Sequence, residues 1–113
     1  MFTDVIFSPV TVYTLCRFID KLLDSSFTGR INIGTKNPIS KYDFGVRLAK
    51  LLGLNPSLIA PSSVDGFDFA ARRPKNTSLN ILKFEQMFGA APKLQDDMAV
   101  FCKRKPKNDE KRC

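Results

Sequence analysis

The sequence predicts a small α/β module, mostly helical with a few short strands. Two amphipathic runs at helical spacing, one before residue 25 and one after residue 40, supply the helical part. Between them lies an alternating apolar and polar run bounded by glycines, which reads as a strand. At 113 residues the chain makes about one domain with a modest core.

Taken in order, Asp4-Val5-Ile6-Phe7-Ser8-Pro9 is an extended, β-favouring run that stops at a proline. Val12, Leu15, Cys16, Ile19, Leu22 and Leu23 then recur on one face of a helix over 11–24. Arg17, Asp20, Lys21 and Asp24 fall on the other face. In Gly29-Arg30-Ile31-Asn32-Ile33-Gly34 the two isoleucines alternate with Arg30 and Asn32, as in a half-buried strand. Ser40 followed by Asp43 resembles a capping box and opens a helix over 41–52, with Phe44, Leu48, Leu51 and Leu52 as its buried stripe. Gly53 ends it in the left-handed region, so that Leu54 folds back onto the last turn. Pro56 to Ile59 suggests one short helical turn, and Ile59 to Val64 a weak strand interrupted by Pro61. Residues 65–80 have no period and read as an ordered loop. Asn80 caps a helix over 81–88 closed by Gly89, and Leu94, Met98, Phe101 and Cys102 mark a last short helix. One confident interior strand cannot make a sheet alone, which points to a sheet begun elsewhere.

Charge and cysteine content narrow the function classes. The net charge is +7, but residues 103–113 hold six bases and two acids, so more than half the excess sits in one terminal stretch. The chain therefore divides into a lobe over 1–102 and a basic tail over 103–113, expected to be disordered. The tail reads as solubilising, with a nucleic-acid arm as the less favoured alternative. Three scattered cysteines and no histidine leave no metal site of the usual zinc type and remove the commonest general base. No apolar run reaches the ~20 residues of a membrane span, and the first residues are no secretory signal, so a soluble, cytoplasmic protein is expected.

No catalytic constellation is complete. The glycines at 29, 34, 45, 53, 66 and 89 make neither dinucleotide-binding nor P-loop spacing. Tyr13 and Tyr42 are followed four places later by Arg17 and Val46, not by the lysine of a Tyr/Lys proton-transfer pair. Asp96 and Asp97 are neighbours and point different ways on a helix. What remains is Ala71-Arg72-Arg73-Pro74-Lys75-Asn76-Thr77-Ser78. Arginine forks suit phosphate, Lys75 adds a point charge, Asn76 adds an amide, and Pro74 fixes the backbone beside Arg73. By physics alone this is equally an anion-binding loop or a solvated turn. The loop of Asn37, Ser40 and Lys41 reads first as helix capping. Phe67 and Phe69 read as core anchors for the loop ahead of base-stacking platforms.

Three motifs in order resemble one family. Phe7-Ser8-Pro9-Val10-Thr11-Val12 before a helix, Gly29 to Thr35 running on to Ile39-Ser40-Lys41-Tyr42-Asp43-Phe44, and Ala71 to Leu79 before a helix with Lys83 and Gly89 cover about residues 4–100. The set is similar to the C-terminal part of the extended short-chain dehydrogenases of the dTDP-4-dehydrorhamnose reductase type. The resemblance implies a small C-terminal substrate-binding lobe whose Rossmann domain is missing from this chain. In that family the Rossmann domain holds NADPH or NADH and the Tyr/Lys pair, and reduces a 4-keto nucleotide-sugar on the way to dTDP-rhamnose. It further implies that Arg73 contacts the diphosphate of a dTDP-sugar, with Arg72, Lys75 and Asn76 assisting. No catalytic, cofactor-binding or metal residue is carried over. Asn80 departs from the family's usual aspartate, yet either residue caps a helix. The chain is expected to be a truncated, split or isolated lobe, inactive alone. The alternative is a non-catalytic regulatory or interaction subunit of a Rossmann-type partner.

Overall fold

The computed structural model describes residues 1–104, so the basic tail expected from residue 103 lies outside the described residues from 105 on. Its chain order is β1 (Ile6–Phe7), α1 (Val12–Leu23), β2 (Ile39–Ser40), α2 (Lys41–Leu51), β3 (Asn76–Thr77), α3 (Leu82–Phe88) and α4 (Leu94–Lys103). Single 3-10 turns occupy Pro56–Leu58 and Val64–Gly66. This is the expected α/β class, helical in the main with short strands.

Local chemistry sets the element ends. Thr11 caps α1, its hydroxyl accepting the Thr14 N–H at 3.3 Å. At α2 the Ser40 hydroxyl accepts the Asp43 N–H at 3.0 Å and donates to the Asp43 carboxylate at 2.8 Å, so the box closes through the hydroxyl. Gly53 adopts φ +70°, and the N–H groups of Gly53 and Leu54 reach the carbonyls of Lys50 and Ala49 at 3.2 and 2.8 Å. α3 starts one residue later than expected: Ile81 takes the cap position without a side-chain cap bond, and the Asn80 side-chain oxygen accepts the Leu82 N–H at 3.0 Å from one residue ahead of it.

The chain's opening segment is the middle of everything. β1 pairs antiparallel with β2 (Ile6 opposite Ser40) and parallel with β3 (Ile6 opposite Asn76), giving the order β2-β1-β3. The weak strand candidate at 59–64 reduces to a single bridge between Ser62 and Phe2. Pro61 lacks the N–H that would extend the pairing.

Two apolar clusters form the core. Phe18, Phe84 and Ala91 make one, with Ile31, Ile33, Ile81 and Phe88 against it. Ile39, Leu94 and Met98 make the other, with Phe7, Phe44 and Leu48. Burial departs from the sequence expectation in three places. On α1 the inward residues are Thr14 and Phe18, whereas Val12, Cys16, Ile19 and Leu23 face outward. Phe18 stands at one edge of the apolar stripe, and its ring, packed edge-on against Phe84 at 4.5 Å, sets the buried side. On α2 the small residues Gly45 and Ala49 are innermost and Leu51 is exposed, with the Met1 thioether lying against Gly45. On α4 the inward set is Leu94, Asp97 and Met98, and Phe101 is exposed.

Residues 30–34 form no strand. Ile31 and Ile33 do turn to the first cluster, as their alternation predicts. Among the described residues, however, no backbone group of Ile31, Asn32 or Ile33 has a backbone partner. Side chains hold the run instead. Lys83 donates to the Arg30 carbonyl and Asn32 to the Asn80 carbonyl, each at 3.1 Å. Alternation fixes which face is apolar, but a strand also needs a neighbour.

Candidate functional site

The loop between the second 3-10 turn and β3 is tied down at both ends by one network. Asp4, just before β1, accepts the Ser63 hydroxyl at 2.6 Å and the Val64 N–H at 3.0 Å. These two bonds hold its carboxyl down from the usual 3.8 to about 2. Lys75 stands 3.4 Å from Asp4 and makes a closer ion pair with Asp65, whose carboxylate raises the pKa of the lysine. The Lys75 carbonyl also accepts the Ile6 N–H at 2.7 Å, fixing that end of the loop to β1. Residues 65 and 75 are thereby clasped.

The clasped loop encloses an open cleft of about 690 Å³ lined by Phe67, Asp68, Phe69, Arg72, Arg73 and neighbouring residues. Phe2 supports it from beneath, its ring edge-on to Phe67 at 5.3 Å and to Phe69 at 6.3 Å. The Arg73 guanidinium sits 5.2 Å over the Phe69 ring. Among the described residues the ion pairs are those of Lys75 alone. Both arginine forks are therefore available to a ligand.

Of the four residues singled out in the sequence, Arg72, Arg73 and Lys75 line this one cleft. Lys75 spends its charge on Asp4 and Asp65 and acts as a strut. Asn76 lies in β3, its side-chain oxygen accepting the N–H and hydroxyl of Ser78 at 3.0 and 2.6 Å, so it closes a turn. Ser40 is engaged in capping α2, and the loop around Asn37 does not join the cleft. Phe67 and Phe69 are 54% and 37% exposed, so they are not the core anchors expected. Asp4 and Asp65 escaped notice in the sequence, since nothing periodic links positions 4, 65 and 75. The arrangement can hold an anion through planar arginine donors.

Against solved structures, the chain matches a dTDP-4-dehydrorhamnose reductase from Bacillus anthracis, solved in complex with NADP, with a TM-score of 0.77 at 23% identity. The fold is that of part of such a reductase. This match covers 88% of the chain and 36% of that structure, the shares a C-terminal piece would give. The dTDP-4-dehydrorhamnose reductase of Yersinia enterocolitica matches with a TM-score of 0.71 at 21% identity, over 90% of the chain and 36% of its own. A Clostridium acetobutylicum reductase of the same name matches with a TM-score of 0.77 at 21% identity, over 91% and 38%. In sequence, a probable low-salt glycan biosynthesis reductase of Haloferax volcanii, Agl14, is 27% identical over 101 residues, 88% of the chain. The chain spans 34% of that relative's length. No family model matches the chain. Among the described residues no helix is long and apolar enough to cross a membrane.

Proposed function

We propose that this chain is the nucleotide-sugar-binding part of a dTDP-4-dehydrorhamnose reductase-like enzyme, with Arg73 as the diphosphate clamp and Arg72 beside it. The observation that carries the reading is the pair of arginines in one cleft that make no ion pair among the described residues, on the fold of part of that reductase. Lys75 enters this reading as the strut that holds the arginine loop. The whole enzyme would use NADPH or NADH to reduce a 4-keto nucleotide-sugar in dTDP-rhamnose synthesis, and this chain would be inactive alone.

The chain's own residues do not fit the nicotinamide cofactor. Among the described residues the sheet has three strands of two residues each with one parallel pair, too little for a doubly wound sheet with its crevice, and the glycine spacing forms no phosphate-binding turn. Binding of the cofactor is therefore assigned to a Rossmann-type remainder, on the same polypeptide or on a partner. Two features support that assignment. Among the described residues the backbone of the run 31–33 has no backbone partner, and α1 beside it presents Val12, Cys16, Ile19 and Leu23 outward. A part of a larger sheet-and-helix layer leaves both uncovered.

The test is a thermal melt of the chain with and without dTDP, repeated on Arg73→Ala. A ligand at a hundred times its Kd stabilises the folded state by about 2.7 kcal/mol. The transition should rise with dTDP in the wild type and stay still in the variant. Equal rises in both would remove Arg73 from the site. No rise in either would remove the nucleotide-binding reading.

A further inference from the structure

We infer that Phe67 and Phe69 form a stacking platform for a nucleobase, so that the cleft takes a nucleoside diphosphate by its base as well as by its phosphates. This rests on the reading of Arg73 as a diphosphate clamp. Four observations support it. The first is exposure: Phe67 and Phe69 are 54% and 37% accessible although both belong to one aromatic group. The second is order, because both rings rest edge-on against Phe2. Their ring planes lie within 28° of each other at a centroid separation of 6.0 Å. That spacing is too small for a base to enter between them, so a base would stack on the outer surface of the pair. The third is continuity with the cations, since Arg73 covers Phe69 and leaves the more exposed Phe67 for the ligand.

The fourth is the mixed lining of the cleft. Arg72 and Arg73 supply cations for an anionic group. Asp68 lines the same cleft, and a carboxylate accepts an N–H or hydroxyl from a nucleoside. A ligand matching this lining carries an anionic group and a flat, uncharged, donor-bearing one. The volume, about 690 Å³, falls within the range of small-molecule sites.

The experiment compares two ligands on the whole chain by calorimetric titration at fixed ionic strength: dTDP and inorganic pyrophosphate. A stacked base is worth about a ten-fold difference in affinity or more, so dTDP should bind at least that much more tightly than pyrophosphate. Phe67→Leu and Phe69→Leu keep the apolar bulk and remove the ring. They should erase most of that advantage while leaving pyrophosphate binding unchanged, and Phe67→Tyr should retain it. Arg73→Ala should weaken both ligands alike. Equal affinity for dTDP and pyrophosphate in the wild type would overturn the platform while leaving the clamp standing. So would leucine variants that weaken both ligands together, which would mark the rings as loop packing only. Binding of neither ligand by the wild type would overturn the clamp and the platform at once.

Discussion

Removing one carboxylate should loosen the whole module. Asp97 is 1% exposed, and it accepts three hydrogen bonds from the start of α1: the Thr11 N–H at 2.7 Å, the Thr11 hydroxyl at 2.7 Å and the Thr14 hydroxyl at 2.5 Å. An anion at a helix N-terminus is stabilising by about 0.3–1 kcal/mol, and by up to about 2 when partly buried. Asp97→Ala also leaves the Thr14 hydroxyl, itself 4% exposed, without its acceptor, a loss of about 1–3 kcal/mol. These overlap, so about 3 kcal/mol in all is expected. For a domain of this size that lowers Tm by roughly 10–20 °C. Differential scanning calorimetry on Asp97→Ala, Thr14→Val and the double variant gives the measurement. The double variant should lose less than the two singles together, because removing both partners leaves no orphan. A loss below about 0.5 kcal/mol for Asp97→Ala, or strict additivity, would refute the buried-cap account.

Two further outcomes follow from the fold. Asp4 has its folded pKa depressed from 3.8 to about 2. Its contribution is thus complete above the unfolded value and is lost as pH falls from about 4 toward 2. Melts of wild type and Asp4→Asn should converge through that window; a gap that persists at pH 2 would show that the bonds to Ser63 and Val64 do not depend on the charge. Hydrogen exchange should find the amides of Ile31, Asn32 and Ile33 open and those of α1 protected, although Ile31 and Ile33 pack on the same cluster. Protection at 31–33 in the isolated chain would mean that the run already has a partner.

Much of the fold could be read in the residues. α2 was legible from end to end because its signals are local: Ser40 at the start, Gly53 at the finish, and nothing beyond three residues needed to explain either. The local role of Asn80 ahead of α3 was legible for the same reason, though the cap position falls on Ile81. What could not be read is what depends on partners far along the chain. The stripe on α1 has two apolar sides, and only the position of Phe84 decides which is buried. Asp97 reads in the sequence only as half of a pair pointing different ways on a helix, since its hydrogen-bond donors lie more than eighty residues away. In the candidate site, Arg72 and Arg73 stood out by composition, whereas the engagement of Lys75 depends on Asp4 and Asp65, which carry no motif. The alternation at 30–34 correctly gave the inward side chains and said nothing about whether the backbone finds a neighbour.

The placement of the opening segment has a consequence for the order of folding. Between residues 3 and 11 it pairs in turn with positions 62, 64, 75 and 97. Each of these partnerships closes a loop of some sixty to ninety residues, so little of the structure around it can be rewarded early. Its pairings with positions 62, 64, 75 and 97 are therefore made late in folding, whatever forms first around them. β2 lies nearer in the chain, so the pairing of Ile6 and Phe7 with Ser40 and Ile39 can form before them. The module should therefore close last where the opening segment meets Ser62, Lys75 and Asp97, and a variant that weakens those meetings should slow the final step of folding.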